Sequence, residues 1–257
     1  TINVLDYTSG TLSDENLSSI NLDQNSGVPE SSFPKPHAIS FSDEGARGPL
    51  VISASYTHDW FSRTDVGGIN FSQAFPFNEG EVAMLPLNEL KTIAVVQKGD
   101  FAFFSCNGYD SNIDDEDIPG QIQSWSVGGY SEPKLSDTYE FGVGSMPWHI
   151  IGANTSNSLY IALKGSDSVQ SGVAALIYDE NGSLELLWKV TDPTFDSLHG
   201  ISLSSDGLEL YVSSNGDGSL YVLDALNGEI IQTLPQLGMS MGGMVMMGYL
   251  SGVAAVQ

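Results

Sequence analysis

Cysteine is nearly absent from this sequence of 257 residues, because Cys106 is the only one. A single cysteine excludes an intramolecular disulfide, and it excludes the cysteine clusters that hold structural zinc, iron–sulfur centres and c-type haem. No apolar run approaches the ~20 residues that a membrane-spanning helix needs. We therefore expect the fold to depend on a hydrophobic core alone, without membrane insertion.

Basic residues are also scarce: 8 Lys and Arg stand against 32 Asp and Glu, which gives a net charge of −24. Nucleic acid and anionic lipid would repel such a chain, so we expect no nucleic-acid partner. The apolar fraction of 41% is too high for a disordered acidic tail. Low lysine content, acidity and abundant Ser, Asn and Gly, in a chain that begins with Thr1, predict a secreted protein, extracellular or periplasmic.

Short alternating runs separated by Gly, Asn, Asp and Ser replace any sustained helical periodicity. The segment Leu208-Glu-Leu-Tyr-Val-Ser-Ser is followed by Asn215-Gly-Asp-Gly and then by Ser219-Leu-Tyr-Val-Leu-Asp. An Asn-Gly pair between alternating runs is typical of a β-hairpin, because its tight turn needs residues with positive φ. A second Asn-Gly pair at 227–228 adds a further strand, so 199–235 is predicted to be a four-stranded meander.

That meander recurs along the chain, and its repetition predicts the architecture. Related runs begin at Pro36 and Trp148, a degraded copy begins at Glu81, and a fifth copy is divided between the two chain ends. Strands from both ends that share one sheet would close a ring. We therefore expect an all-β, single-domain, five-bladed β-propeller of four-stranded antiparallel blades. The predicted blades cover 33–78, 79–142, 146–195, 197–237, and 239–257 together with 1–24.

The run His199-Gly-Ile-Ser-Leu-Ser-Ser-Asp-Gly-Leu-Glu-Leu-Tyr-Val-Ser-Ser-Asn resembles the YVTN-type propeller repeat of surface-layer and lactonase-like proteins. The match is good over 146–235 and fair over 36–56. The resemblance implies a propeller fold and hardly specifies a function. Many relatives have seven blades, so five blades would be a departure from the family.

Three of the four histidines, His37, His149 and His199, are expected in one register at the start of the innermost strands. Equivalent residues of inner strands form a ring around the channel, so these imidazoles and Met241 are a candidate metal site, with Met84 and Met244 close by. Imidazole suits zinc and copper, and thioether sulfur favours copper. The alternative is that the histidines fill the channel or bond to loop carbonyls.

A candidate calcium loop lies between the second and third predicted strands of the blade over 79–142. Asp110, Asn112 and Asp114 have the alternating oxygen spacing of such a loop. Asp115 stands where the turn glycine should be, and Gln121 where a bidentate Glu should be. A solvated acidic loop is the alternative interpretation.

Three functions remain open at this point. The first is an extracytoplasmic binding or assembly module that holds copper or zinc in its channel, with a protein or carbohydrate partner. The second is a metal-dependent oxidoreductase or hydrolase at the channel mouth, although the chain has neither a Gly-x-Ser-x-Gly nor a His-Glu-x-x-His motif and no catalytic residue is assigned. The third is a self-assembling surface-layer, adhesion or filament subunit.

Overall fold

The computed structural model describes 92–108, 118–128, 133–235 and 237 in full, together with 38–40. It also describes the backbone of the strands that lie elsewhere in the chain. All twenty elements are β-strands: Ile2–Leu5 (β1), Leu17–Ile20 (β2), Pro36–Ser42 (β3), Leu50–Ser55 (β4), Trp60–Asp65 (β5), Ala83–Pro86 (β6), Thr92–Lys98 (β7), Phe101–Cys106 (β8), Gly120–Ser126 (β9), Lys134–Gly142 (β10), Pro147–Gly152 (β11), Ser158–Leu163 (β12), Gly172–Tyr178 (β13), Leu184–Thr191 (β14), Leu198–Leu203 (β15), Glu209–Ser214 (β16), Leu220–Asp224 (β17), Ile230–Leu234 (β18), Ser240–Met241 (β19) and Met244–Val245 (β20).

The strands form four antiparallel four-stranded meanders, β3–β6, β7–β10, β11–β14 and β15–β18. The pairs β1–β2 and β19–β20 form separate hairpins near the chain ends. The all-β expectation is therefore confirmed for the described part of the chain. Within that part, no helix is long and apolar enough to cross a membrane.

The first strand of each meander faces the first strand of the next. Strand β3 contacts β7, β7 contacts β11, and β11 contacts β15. One hydrogen bond joins two of these inner strands directly: the N–H of Gln97 on β7 donates to Ser40 Oγ on β3, at 3.0 Å. Successive sheets are thus stacked side by side, with their first strands innermost.

Both faces of the middle sheets are buried, and the period of two along each strand produces this. On β8, Phe103 packs toward β11–β14, whereas Phe104 packs on the opposite side, toward Ala38. On β12, Ile161 faces the preceding sheet and Tyr160 faces the following one. Because successive side chains of a strand point to opposite faces, each sheet contributes to two cores.

The boundary between the predicted units 33–78 and 79–142 differs from the expected one. Residues Ala83–Pro86 pair with β5 and form the outer strand of the sheet β3–β6, rather than the inner strand of a unit that begins at 79. The inner strand of the next sheet is Thr92–Lys98, whose side chains are mostly buried. Proline is accommodated on edge strands, since it cannot donate a ladder hydrogen bond, and Pro86 therefore suits an outer position.

The expected joining of the two chain ends involves 252–257, which lie outside the described residues. The hairpins β1–β2 and β19–β20 supply four strands beyond the four meanders.

Candidate functional site

Similar turns precede the inner strands β11 and β15, and we call them the lead-in turns. Met146 (φ 49°) and Ser197 (φ 56°) have left-handed backbone conformations, which cost a non-glycine residue about 1–2 kcal/mol. The N–H of Lys164 donates to Met146 O at 3.0 Å. In the next sheet, the N–H of Asn215 donates to Ser197 O, also at 3.0 Å. Each lead-in turn is therefore fixed to the turn that leaves the second strand of its own sheet.

A β-bulge lies at the start of each inner strand. Across the bulge, the inner strand has one residue more than the second strand with which it pairs. A bulge redirects side chains and is common beside functional sites. Matching the ladder partners of the four sheets places the same structural position at His37 on β3, Ile93 on β7, Trp148 on β11 and His199 on β15.

His149 does not share the register of His199, contrary to the expectation from sequence. One residue separates the left-handed Ser197 from His199, whereas two residues separate the left-handed Met146 from His149. Trp148 therefore takes the position of His199, and His149 takes the next one along its strand.

The two imidazoles nevertheless meet. The ring centroids of His149 and His199 lie 4.9 Å apart, with the rings edge to face at 84°. The Trp148 ring also packs against His199, with the two ring centroids 4.9 Å apart. The Lys164 Nζ lies 4.6 Å from the centroid of the Trp148 ring. We refer to Trp148, His149, Lys164 and His199 as the mouth cluster.

Serine hydroxyls in the second strands support the main chain of the mouth cluster. Ser105 on β8 accepts from the N–H of Ala94 at 3.1 Å and donates to the carbonyl of Trp148 in the next sheet. Ser213 on β16, the equivalent residue, accepts from the N–H of Gly200 at 2.9 Å. These bonds satisfy main-chain groups that the bulges remove from the ladder.

A carboxylate lies in the turn that follows β16. Burial acts to raise the pKa of Asp217, but hydrogen bonds from the hydroxyls of Ser214 and Ser219 and from the N–H of Ser219 hold its pKa below the ordinary value. Asp217 therefore remains ionised at neutral pH, and this end of the sheet carries a fixed negative charge.

The structure places the other predicted metal ligands only partly. His37 lies on β3 and Met241 on β19, and their backbones alone are described. Among the residues whose side chains are described, no three His, Cys, Asp or Glu groups are arranged to hold a metal ion. Met84 lies on the outer strand β6 rather than beside an inner strand. The candidate calcium ligands Asp110, Asn112 and Asp114 lie outside the described residues.

Sequence reasoning missed Trp148 and Lys164 as members of the site. The signal for Lys164 was a repeated dipeptide, in which a polar residue and a glycine follow the second strand of a unit. The three occurrences are Asn107-Gly108, Lys164-Gly165 and Asn215-Gly216. Trp148 could have been found by aligning the first residues of the inner strands.

No protein-family model matches this chain, and no curated protein matches it by sequence. Solved structures do match. A candidate 6-phosphogluconolactonase from Bacteroides uniformis superposes with a TM-score of 0.61 at 15% identity, over 91% of this chain and 64% of that one. A periplasmic gluconolactonase from Pseudomonas aeruginosa gives 0.55 at 16% identity, over 80% of this chain and 58% of that one.

A chain from a nidogen/laminin complex is also similar, with a TM-score of 0.58 at 11% identity, over 98% of this chain and 77% of that one. At these identities the likeness concerns the fold. The chain spans about 58–64% of the two lactonase-type structures.

Stacked four-stranded meanders with their first strands innermost define a β-propeller, and the structural neighbours agree with it. Within that class, the site is a cluster of aromatic, imidazole and ammonium groups at the end of the sheets where the inner strands begin.

Proposed function

We propose that this chain is a binding module whose ligand site is the mouth cluster. In this proposal His149 and His199 bind a transition-metal ion, and His37 is the third ligand. The observation that supports it is the 4.9 Å contact between two imidazoles from neighbouring sheets. Neutral imidazole is a ligand for zinc and copper, and three protein ligands with an open position would leave room for a further molecule.

The support around the two rings favours a preorganised site. Each histidine follows a hydrogen-bonded lead-in turn, and Ser105 joins the main chain of Trp148 to the neighbouring sheet. Ligand directions set by sheets need little reordering when a metal binds. Met241 as an additional ligand would favour copper over zinc.

The wider proposal is an extracytoplasmic five-bladed propeller. Four meanders and two terminal hairpins supply the strands for five blades, if the hairpins share one sheet. One structural neighbour is a periplasmic protein, and the low lysine content of this chain is compatible with that location.

Metal titration tests the site. We expect the purified, chelator-treated protein to bind one zinc or copper ion per chain in calorimetry. Removal of either imidazole, in His149→Ala or His199→Ala, should weaken binding at least ~10-fold, because a coordinating nitrogen is lost. Asp179→Ala is the control, since Asp179 follows β13 at the opposite end of the sheet from the start of β11. Equal affinity in all these variants would refute the site.

A second candidate is hydrolysis of a sugar lactone at the same mouth. It rests on the lactonase-type neighbours and on an imidazole pair that could act as a general base. We would measure hydrolysis of glucono-1,5-lactone by the wild type and by His199→Ala. A rate equal to the spontaneous one in both proteins would exclude this activity.

A further inference from the structure

Three apolar side chains are exposed at the end of the sheets opposite the mouth cluster. Leu208 immediately precedes β16, and Leu226 lies in the turn between β17 and β18, so both are at the end where the inner strand β15 finishes. Leu208 is 65% exposed and Leu226 is 85% exposed. Ile177, near the end of β13, is 36% exposed. We refer to Ile177, Leu208 and Leu226 as the apolar seam.

The turn that carries Leu226 is fixed to both neighbouring sheets. The Ala225 N–H donates to the Leu208 carbonyl at 2.9 Å, so the residue after Ala225 lies next to the turn of Leu208. In the preceding sheet, the Trp188 indole N–H donates to the Ala225 carbonyl at 3.3 Å. The two leucines are therefore presented by an ordered turn that leans on the outer strand β14.

Ile177 extends the apolar seam onto the preceding sheet. Ala175 pairs with Trp188 and packs in the core that this sheet shares with β15–β18. Ile177 lies two residues further along the same strand, so it points to the same side as Ala175. The three exposed side chains thus lie along the junction of two sheets.

The two leucines are not needed to build their turns. In the preceding sheet, the Tyr178 N–H donates to the Asn157 carbonyl at 3.1 Å, and this is the equivalent main-chain bond. Leu208 therefore corresponds to Asn157. By the same alignment, Leu226 corresponds to Asp179. Because polar residues close the equivalent turns, and because an exposed leucine adds little burial to folding, the leucines are a property of this surface rather than of the fold.

Carboxylates surround the apolar seam. The segments that carry it are 177–187, 204–209 and 224–231. Together they contain seven Asp and Glu residues and no Lys, Arg or His. Glu185 pairs with Ile177 across the strands, and Glu209 directly follows Leu208. The surface is therefore apolar at its centre and negatively charged around it.

We propose that the apolar seam docks a segment of a partner protein in which apolar side chains are flanked by lysine or arginine. The apolar side chains of such a segment would leave water on the seam, and its cations would face the carboxylates. A second copy of this chain would bring like charges together, and the net charge of −24 opposes that. The seam and the mouth cluster lie at opposite ends of the sheets, so this proposal does not depend on metal binding.

Binding of a short fluorescein-labelled peptide of alternating Leu and Lys, followed by fluorescence anisotropy, tests the proposal. We expect the double variant Leu208→Asn with Leu226→Asn to bind the peptide about 10-fold more weakly or worse, because apolar contact area is lost without a change of charge. Leu237→Asn is the matched control. Leu237 is 51% exposed, and its N–H donates to Gly218 O at the mouth end of the same sheet. Its affinity should change less than ~2-fold.

Two further measurements separate docking from other causes. A peptide of alternating Leu and Glu should not bind, because its charges repel those around the seam. In urea, the double variant should unfold within about 0.5 kcal/mol of the wild type, since exposed side chains contribute little to stability. A loss of peptide binding then reports on the seam and not on folding.

Three results would overturn the proposal. The first is equal affinity of the double variant and the wild type for the Leu-Lys peptide. The second is an equal loss of affinity in Leu237→Asn, which would mean that any exposed leucine serves. The third is a wild-type dimer in sedimentation equilibrium that the double variant abolishes, because a second copy would then occupy the seam.

Discussion

At the scale of single residues, the backbone conformation of the turn after β12, which contains Lys164, depends on glycine. Gly165 has φ +73°, and a Cβ there would lie 2.5 Å from the carbonyl oxygen of Val169. Gly165 also donates to Ser145 O at 3.1 Å, next to the left-handed Met146. The main chain around Lys164 is thus held by a residue that tolerates no side chain.

We predict that Gly165→Ala lowers the free energy of unfolding by about 2–4 kcal/mol, since strain from positive φ adds to a clash with backbone. Gly99→Ala is the control: Gly99 has φ +55° and open space around the added Cβ, so we expect a loss of only about 1–2 kcal/mol. Urea denaturation of the two variants gives the comparison. Equal losses would contradict the clash.

The carboxylate of Asp206 makes the stability of the folded protein depend on pH. The Ser204 hydroxyl and the N–H of Leu208 donate to its carboxylate and lower its pKa below 3.8. Because the folded pKa is lowered, the stabilisation is fully present above about 3.8 and is lost as the pH falls through the folded value. Asp206→Asn should therefore be less stable than wild type at pH 7, and the difference should shrink below pH 3.8. A difference that stays constant between pH 7 and pH 3 would contradict this account.

At the scale of strands and sheets, Ser105 joins two neighbouring sheets through the carbonyl of Trp148. We predict that Ser105→Ala costs about 1–3 kcal/mol, because buried main-chain groups lose their partner. The same variant should weaken metal binding, since the chain beside His149 loses its anchor. Ser156→Ala serves as a control, because the Ser156 hydroxyl bonds only to Ser158 at the surface, and we expect a change within about 0.5 kcal/mol.

Alternation and turn residues were enough to predict the meanders around Asn215-Gly216, because a period of two and tight turns are local properties. The pairing of Ala83–Pro86 with β5 was not predictable in the same way, since either neighbouring sheet could accept a short apolar strand. Only the edge preference of Pro86 pointed to the outer position.

The site was predicted in part. The repeat pattern predicted that His149 and His199 lie at the same end of two neighbouring sheets, and their rings are in contact there. It could not show that the bulge of β11 places Trp148 in the histidine register, because a bulge depends on pairing between distant strands. The contact of Lys164 with Trp148 has the same origin.

At the scale of the whole molecule, the net charge of −24 sets the response to salt. Self-repulsion destabilises the compact state, and the screening length falls from about 30 Å at 0.01 M to about 8 Å at 0.15 M ionic strength. We therefore predict that Tm at pH 7 rises by several degrees between these two salt concentrations. Scanning calorimetry provides the measurement, and a Tm that falls with added salt would contradict the prediction.

We propose that imidazoles from separate sheets converge on one metal ion at the mouth of a propeller. X-ray absorption spectroscopy of the zinc-loaded protein measures the ligands of that metal. We expect at least two imidazole nitrogens at about 2.0–2.1 Å from the metal, with one fewer in His199→Ala. A zinc ion surrounded by oxygen alone, with the same spectrum in His199→Ala, would contradict it.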